Sequence, residues 1–314
     1  MYIYLRNYHL IISSIIAFCL LNSCQFISNQ DNDEPVTDNI SKEQYIEPQV
    51  ANTVVASDEA IVATVNTVSI SENRYKREVL RYEAALEKSA LATVKIEKLS
   101  FDVLEQLILS KLIGQAAREQ GLTVTEQQLD EAYAASMSVR GGQAGFDRWL
   151  EENIYTHVEF MTYLEEQLLA TKIQELVLNN VGVYAEQVNA RHIVVATREQ
   201  AKDLRSKIVA GADFATLASI HSLDRSTSLN GGDLGWFPRG LLTMPVVETA
   251  AFALDPGELG DIVETKIGFH IIQTIDRDLQ RELTSNAAVV VRRTVLDSWL
   301  ADLRSQAVIE KFVQ

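Results

Sequence analysis

The chain has 314 residues, of which 47% are hydrophobic and 23% charged, and its formal net charge is −15 at pH 7. A chain of this length and composition can bury a sizeable core and has room for more than one. The acidic balance argues against a basic face that would hold a phosphate backbone, so we expect no nucleic-acid partner.

Residues 1–23 have the features of a lipoprotein signal peptide. Arg6 precedes an apolar run from Leu10 to Leu21, which is shorter than the roughly 20 residues of a membrane-spanning helix. The run ends in "LNSC", which resembles a bacterial lipobox whose cysteine, here Cys24, is lipidated and becomes the mature N-terminus. A plain secretory signal and an uncleaved anchor are the alternatives.

Lipidation of Cys24 would leave the mature chain without a free thiol, because Cys19 is removed with the signal peptide. A disulfide, a thiolate metal site and a cysteine nucleophile are then excluded. Gln25 follows the lipidated position, and in a Gram-negative host this suggests, by analogy with known lipoproteins, sorting to the outer membrane. We therefore expect a protein of the cell envelope held to a membrane by its lipid, on the periplasmic face of the outer membrane if the host is Gram-negative.

Residues 24–58 are acidic and polar and show no sustained apolar period. So few apolar side chains cannot offset the cost of ordering the chain, which predicts a flexible tether. As a coil, its ends would lie on the order of 30 Å apart. An arm partly ordered against the folded part is the alternative.

Residues 59–182 predict a helical module that is entered by one strand. The segment "IVATVNTVSI" reads as that short strand, a turn near Asn66 and Thr67, and re-entry of the chain. Apolar side chains at three- and four-residue spacing in the second helix predict one buried stripe, formed by Phe101, Leu104, Ile108, Leu112 and Ala116. Ser71, Thr125 and Thr156 stand where helix N-caps are expected, and Gly121 stands where a helix ends.

A group of apolar and aromatic residues in this module has two interpretations: an apolar groove, or ordinary packing between helices, which we favour. Its members are Tyr155, Phe160, Met161 and Tyr163. The module shows no spacing typical of a metal site, so we expect it to be a scaffold.

The pattern changes in residues 186–278, which read as a strand, two helices, a glycine-rich loop, a third helix and two strands. The first strand, "QVNARHIVVAT", is rich in β-branched residues. Gly211 closes the first helix, and Asp213 is the expected cap of the second. This order predicts an α+β domain of ordinary size.

Seven short motifs occur in order between Gln187 and Arg277: "ARHIVV", "GADFATLA", "HSLD", "GGDLGWF", "AAFAL", "PGELGDIV" and "GFHIIQ". Together they resemble a parvulin-type peptidyl-prolyl cis-trans isomerase domain, which implies a small antiparallel sheet with flanking helices.

The helical module before these motifs resembles the chaperone part of SurA-type foldases, and PrsA-like foldases add the lipid anchor. Residues 279–314 continue the resemblance with a helix and the strand-like "AVIEKF". The resemblance implies that the isomerase domain is inserted in, or follows, the helical chaperone domain. It also implies that the C-terminal helix returns to that domain and that residues 307–312 pair beside the first strand.

The isomerisation of an X–Pro bond meets a barrier of roughly 18–20 kcal/mol, because amide resonance is lost when the bond twists. A catalyst has to hold the proline and favour the twisted amide, which requires no nucleophile, metal or cofactor. The resemblance implies two histidines back to back, His192 and His270, with Thr265 as a hydroxyl that bonds the pair. It also implies that Asp224 faces the substrate amide. Histidines that only order the site, and an aspartate that only caps its loop, are the structural alternatives.

The resemblance further implies a shallow apolar cup for proline, with Leu234 and Phe252 among its residues. The family commonly has Phe at the position of Val247 and Met near the position of Leu242, where a one-residue shift leaves the alignment open. Val fills less of a proline pocket than Phe, so these departures predict a shallower cup or a slower enzyme.

The glycines of "NGGDLGWFPRG", residues 230–240, predict a tight turn that lets the chain double back under this cup. Trp236 and Phe237 would pack beneath or beside the cup, and we favour a structural role for both. His221 stands where the family usually has an aromatic residue, which indicates packing.

Three functions follow. The first is a peptidyl-prolyl isomerase and folding chaperone for proline-containing, unfolded or partly folded polypeptides of the envelope. The second is a holdase whose isomerase domain binds peptides but turns over little, and Val247 is its main support. The third, a hydrolase using Ser222, His270 and Asp224, has little support because no G-x-S-x-G nucleophile elbow is present.

Overall fold

The computed structural model describes residues 59–88 and 96–313. The predicted signal peptide, the lipidated Cys24 and the predicted tether lie outside the described residues. The described strands are β1 (Ile61–Val65), β2 (Val68–Ser71), β3 (Tyr184–Val195), β4 (Asp233–Pro238), β5 (Val263–Thr265), β6 (Gly268–Glu282) and β7 (Ile309–Lys311). The described helices are α1 (Glu72–Lys88), α2 (Ile96–Glu119), α3 (Glu126–Ser138), α4 (Gln143–Glu152), α5 (His157–Leu178), α6 (Arg198–Val209), α7 (Phe214–His221), α8 (Pro245–Ala253) and α9 (Ser285–Gln306). Within this part of the chain, no helix is long and apolar enough to cross a membrane.

A three-stranded sheet in the order β2-β1-β7 packs against the helices of the first module. The chain reverses after β1 at Asn66 and Thr67, where the sequence predicted a turn, and the re-entering residues pair with β1 as a second strand, β2. From the far end of the chain, β7 pairs antiparallel with β1 and places Ile309 opposite Val65 and Lys311 opposite Ala63. This is the return of the C-terminal segment that the sequence predicted.

The helix boundaries follow the capping residues identified in the sequence. The Ser71 hydroxyl accepts the backbone N–H of Arg74 at the start of α1. Thr125 forms a capping box at the start of α3, and Thr156 forms one at the start of α5. In each box the threonine hydroxyl accepts the backbone N–H three residues later, and the side chain of that residue accepts the backbone N–H of the threonine. Gly121 has a φ of 72° after α2, the left-handed conformation that a helix-ending glycine supplies.

The predicted stripe of α2 is buried at four of its five positions, Leu104, Ile108, Leu112 and Ala116. Phe101 is the exception, with 45% of its surface exposed, so its prediction was wrong. The first turns of α2 bury Leu99 and Val103, which stand two positions on either side of Phe101 and therefore on another face. The ring of Phe101 instead lies 5.0 Å from the ammonium group of Lys311.

The aromatic residues of α4, α5 and their connection pack against one another. Phe160 is buried, and the rings of Phe146 and Trp149 meet it edge to face at centroid distances of 5.1 and 5.6 Å. Tyr155 and Tyr163 pack against the same cluster. These contacts are the helix packing that the sequence favoured over an open groove.

The second module is a four-stranded antiparallel sheet in the order β4-β3-β6-β5. Because side chains alternate along a strand, the sheet has two distinct faces. Helices α6 and α7 cover one face through a cluster that includes Ile193 and Ile271. Helix α8 covers the other face, where Ala251 and Phe252 pack with Ile272.

Strand β4 was not predicted, because the glycine-rich stretch was interpreted as a turn alone. The turn is formed by the two glycines before it, and the next residues pair with β3, with Trp236 opposite Asn189. Gly235 has a φ of 66° in the middle of this short strand, and the register shifts beside it. The irregularity removes the alternating pattern by which a strand is recognised in a sequence.

The isomerase-like module is an insertion in the helical body, and its two ends leave side by side. Tyr184 at the start of β3 lies opposite Glu282 at the end of β6, and the N–H of Leu283 donates to the carbonyl of Val183. The Gln187 side-chain amide donates to the carbonyls of Arg281 and Glu282, which adds two hydrogen bonds between the start of β3 and the end of β6. Helix α9 then re-enters the helical module.

Candidate active site

Two buried histidines occupy neighbouring strands on the face of the sheet that carries α8. His192 on β3 lies opposite Ile272, and His270 is two residues before Ile272 on β6, so both imidazoles point to the same face. Their Nδ1 atoms are 3.4 Å apart, and both rings are almost wholly buried. The sequence predicted two histidines back to back, and the structure brings them into direct contact.

The outer nitrogen of His192 contacts Asp224, which lies in the loop after α7. His192 Nε2 is 2.8 Å from Asp224 Oδ2, and the Thr227 hydroxyl donates to the same oxygen over 2.9 Å. The other carboxylate oxygen accepts both the backbone N–H and the hydroxyl of Ser226. The carboxylate is thus held by several donors while 22% of the side chain stays exposed at the surface.

The outer nitrogen of His270 contacts Thr265, the last residue of β5. The Thr265 Oγ1 atom is 2.8 Å from His270 Nε2 and also accepts the backbone N–H of Ile267 over 3.2 Å. The four polar residues predicted from the sequence therefore form one continuous chain, in the order Thr265, His270, His192 and Asp224.

When both imidazole rings are neutral, one assignment of donors and acceptors satisfies every hydrogen bond between these four residues. A carboxylate can only accept, so His192 donates from Nε2 to Asp224 and its Nδ1 is left as an acceptor. His270 then donates from Nδ1 to His192, and its Nε2 accepts the hydroxyl proton of Thr265. These tautomers are inferred from the heavy-atom contacts.

The surroundings of Asp224 and of His270 lower the pKa of each residue, but for different reasons. Burial works to raise the pKa of Asp224, but hydrogen bonds from Ser226, His192 and Thr227 outweigh it and hold that pKa well below the usual range. Burial, followed by the proximity of His192, lowers the pKa of His270 to about 4, against a smaller opposing effect of Asp224. At neutral pH the site therefore combines an ionised Asp224 with an uncharged His270.

The glycine turn brings backbone against the first histidine. Gly232 has a φ of 81°, and a Cβ atom there would lie 2.1 Å from the carbonyl oxygen of His192. The carbonyl of Gly232 also accepts the N–H of His192 over 2.9 Å. Only a residue without a side chain permits this approach, and it places the Asp224 loop next to β3.

The four residues predicted to bind proline belong to one apolar cluster on the same face of the sheet as the histidines. Leu234 and Leu242 are half-buried at its edge, and Phe252 is buried within it. Val247 is only 1% exposed, so in this structure its side chain contacts the core and offers almost no surface. Phe237 is fully buried in the same cluster, as favoured from the sequence, and Trp236 lies under the guanidinium of Arg281.

Three residues that organise the site were not indicated by the sequence. Thr227 and Ser226 bond Asp224, as described above. Glu248 accepts the N–H groups of Gly240 and Leu242 and so fixes the loop before α8. The available signal was the spacing, because Ser and Thr two and three residues after an Asp are typical of side-chain-bonded turns.

The geometry does not assemble the hydrolase alternative. The buried Ser222 hydroxyl accepts the backbone N–H groups of Val194 and Asp224 over 3.1 and 3.3 Å. Both ring nitrogens of His270 are in contact with Thr265 and His192. A general base would have to bond the serine hydroxyl, and His270 is directed elsewhere.

Two sequence profiles match the chain. Residues 188–276 match a rotamase profile described as a PPIC-type PPIase domain. Residues 37–174 match a profile described as a SurA-like N-terminal domain.

Curated relatives cover both modules. The foldase protein PrsA of Caldanaerobacter subterraneus subsp. tengcongensis is 28% identical over 267 residues, which is 80% of this chain and 83% of that protein. PrsA of Geobacillus kaustophilus is 30% identical over 212 residues, 64% of this chain and 72% of that protein. The chaperone SurA of Nitrosococcus oceani is 36% identical over 141 residues, but the chain spans only 33% of its length.

Solved structures of PrsA proteins also resemble the chain. The peptidylprolyl isomerase PrsA of Bacillus anthracis has a TM-score of 0.40 at 26% identity, covering 64% of this chain and 94% of that one. PrsA of Bacillus cereus has a TM-score of 0.44 at 21% identity, covering 79% of this chain and 88% of that one.

The class of the second module is defined by its sheet topology together with the profile match: it is a parvulin-type peptidyl-prolyl isomerase domain carried by a SurA-like helical module. With relatives of this similarity and coverage, the chain belongs to the PrsA family of foldases.

Proposed function

We propose that this foldase isomerises X–Pro bonds over the chain of Asp224, His192, His270 and Thr265, in polypeptides that fold outside the cytoplasm. The observation that carries the proposal is the 3.4 Å contact between the two imidazoles, with Asp224 and Thr265 bonded to their outer nitrogens. No step requires a covalent intermediate, a metal or a cofactor.

Asp224 is the group we assign to the reacting amide. In the planar amide, resonance places partial negative charge on the carbonyl oxygen, and this charge falls when the bond twists. A fixed carboxylate beside that oxygen therefore repels the planar substrate more than the twisted transition state, which lowers the barrier between them. The hydrogen bonds from Ser226, His192 and Thr227 that depress its pKa keep Asp224 charged for this role.

The histidines and Thr265 act as a support for that carboxylate. His192 presents an N–H to Asp224, and His270 contacts the other ring nitrogen of His192. Leu234, Leu242 and Phe252 supply apolar contacts for the proline ring, and Val247 forms the floor beneath them. This assignment follows from their common cluster on the face that carries the histidines.

We further propose the division of the chain into five parts. Residues 1–23 are a lipoprotein signal peptide, and residues 24–58 tether the folded part to a lipid on Cys24. Residues 59–182 form the helical chaperone domain, residues 186–278 the isomerase domain, and residues 279–314 the segment that returns to the helical domain. In a Gram-negative host the lipid would hold the protein at the periplasmic face of the outer membrane.

The isomerase assignment is tested with a proline-containing tetrapeptide and purified full-length protein. His270→Ala and Asp224→Ala are each expected to lower kcat/KM by about two orders of magnitude, because each removes a member of a coupled network. His221→Ala is the matched control: His221, which the sequence predicted to pack, is exposed at the end of α7 and makes no hydrogen bond with the four site residues. Equal rates for the wild type and both site variants would contradict the assignment and leave a holdase that only binds peptides.

The anchor is tested separately in cells of the host. Wild-type protein is expected to incorporate labelled palmitate and to sediment with membranes, and Cys24→Ala is expected to lose both properties. Membrane association that persists in Cys24→Ala without label would instead indicate an uncleaved apolar anchor.

A further inference from the structure

The loop that follows β4 lies directly against helix α9. Gly240 has a φ of 88°, and a Cβ atom there would lie 2.3 Å from Thr294 Oγ1 and 3.4 Å from Val290 Cγ1. The first distance is far shorter than a carbon–oxygen contact allows, so the loop backbone itself rests on the helix. The Thr294 hydroxyl donates to the carbonyl of Val290 over 3.0 Å, which fixes the surface that the loop meets.

The same loop carries a residue of the proposed proline cup. The Glu248 carboxylate accepts the N–H of Gly240 over 2.8 Å and the N–H of Leu242 over 3.1 Å. One side chain thus ties the backbone at both positions into a single unit. A displacement of Gly240 has to move Leu242 as well, because only one residue separates them.

Helix α9 is held by contacts with the helical module. Trp299 packs with Ala117, Leu169 and Ile173 of α2 and α5. Five residues after Trp299, Arg304 makes an ion pair with the buried carboxylate of Glu105 on α2. Lys311 of β7 pairs with the same carboxylate. Thr294 and Arg304 are ten residues apart on one continuous helix, a separation of about 15 Å.

We propose that α9 sets the position of residues 239–242, with Thr294 as the positioning residue, so that the helical module supports one wall of the isomerase site. Thr294 does not touch the substrate; it acts through Gly240 on Leu242. The inference rests on the proposed function, since it assigns Leu242 to the proline cup. A glycine at position 240 suits this contact, because it has no Cβ atom to meet the Thr294 side chain and it accepts the positive φ.

The test uses the full-length protein and four variants of α9, three at Thr294 and one control at Val289. Thr294→Phe places a large ring under the loop, Thr294→Val keeps the branched shape without the hydroxyl, and Thr294→Ala is a milder change if Phe disturbs folding. Val289→Phe is the matched control, because Val289 is 66% exposed on the same helix. The thermal midpoint of each variant is measured first, so that kinetic effects are read only on folded protein.

Two readouts are combined: KM and kcat for a proline tetrapeptide, and the backbone amide NMR shifts of Gly240 and Leu242. Thr294→Phe is expected to shift both amides and to raise KM about tenfold with a smaller change in kcat, because a misplaced wall weakens binding. Thr294→Ala is expected to change both readouts in the same way but less. Thr294→Val and Val289→Phe are expected to stay within about twofold of the wild type.

The inference is overturned if Thr294→Phe leaves the Leu242 amide in place, or if the amide shifts while KM and kcat stay unchanged. His270→Ala is assayed in parallel. A wild-type rate for His270→Ala would count against the proposed catalytic chain alone, because the amide shifts and KM of the α9 variants still decide whether Thr294 positions the loop.

Discussion

His192 and His270 face each other across adjacent strands with their Nδ1 atoms 3.4 Å apart, so only one of the two atoms can carry the bridging proton. With Asp224 ionised at one end and Thr265 at the other, the hydrogen-bond directions run from Thr265 toward Asp224. Each prediction that concerns the catalytic site tests a part of this arrangement.

The contribution of the negative charge of Asp224 can be tested without a large change in the size of its side chain. Asp224→Asn keeps a similar side chain but removes the negative charge that we assign to the reacting amide. We expect kcat for a proline tetrapeptide to fall about 10- to 100-fold and KM to fall as well, because the repulsion acts on the bound planar substrate. Glu264→Gln, which alters an exposed carboxylate of the same domain that pairs with Arg198, is the control. A fully active Asp224→Asn would show that hydrogen bonding alone suffices.

Thr227 is one of the residues at the site that the sequence did not indicate. Its hydroxyl donates to Asp224 Oδ2 over 2.9 Å, so Thr227→Val removes one of the donors that hold the carboxylate. We expect kcat/KM to fall about tenfold in Thr227→Val, and Thr227→Ser to restore most of it. If Ser and Val at this position gave the same rate, the hydroxyl would have no part in positioning Asp224.

The low pKa of His270 predicts how stability depends on pH. The pKa is about 4 in the folded protein against 6.5 for an ordinary histidine, so between these values the unfolded chain binds a proton that the folded chain does not. The free energy of unfolding therefore falls as the pH drops from 6.5 toward 4, by at most about 1.4 kcal/mol per pH unit. The depressed pKa of Asp224 removes stability only below its ordinary value of 3.8.

Urea unfolding at about pH 7 and about pH 5 measures this effect. His270→Gln is expected to flatten the difference, and His221→Gln, a change at an exposed histidine, is expected to leave it unchanged. An equal pH dependence in the wild type and His270→Gln would contradict the lowered pKa.

Gly232 lies against the backbone of His192, and Gly257 is a matched control without such a contact. Their φ values are 81° and 87°, so an alanine meets similar backbone strain at either position. Only at Gly232 would the new Cβ collide with a carbonyl oxygen, whereas nothing lies within 4 Å at Gly257. We expect Gly257→Ala to cost about 1 kcal/mol and Gly232→Ala about 3 kcal/mol or more in chemical unfolding. Equal costs would mean that the turn relaxes away from β3.

The ion pairs of Glu105 predict that the C-terminal segment stabilises the helical module. Glu105 is buried on α2 and pairs with Arg304 and Lys311, so Glu105→Gln leaves two cations without their carboxylate. We expect a loss of about 1–3 kcal/mol in the unfolding of the helical module, because the two cations left behind are partly exposed and can be solvated. Glu310→Gln, at an exposed position of β7, is the control. The transition of the isomerase domain should stay in place, and a shared loss would show that the two modules unfold together.

Local signals predicted the helices of this fold well. Ser71, Thr125 and Thr156 cap where the sequence placed them, because capping depends on the few residues around each helix start. The stripe of α2 failed at Phe101, since the face that a helix buries is decided by its partners and changes along its length. Strand β4 was missed for a similar reason: it becomes a strand by pairing with β3, and Gly235 hides its pattern.

The residues of the site were accessible through ordered motifs, but their connections were not. The resemblance carried by these motifs indicated His192, His270, Asp224 and Thr265 as a set, and the structure connects all four by hydrogen-bond contacts. Nothing local to the sequence indicates that Gly240 rests on Thr294, because that contact joins two modules. Contacts of this kind depend on how the modules pack, which the sequence pattern alone does not record.

The central claim is that this chain of four residues speeds rotation about X–Pro bonds in folding polypeptides. The most direct measurement follows a model protein whose slow refolding is limited by a proline, a phase that lasts tens to hundreds of seconds at 25 °C. Catalytic amounts of the wild type are expected to accelerate that phase, and the double variant His192→Ala/His270→Ala is expected to leave it at the uncatalysed rate. Equal acceleration by both proteins would contradict the account.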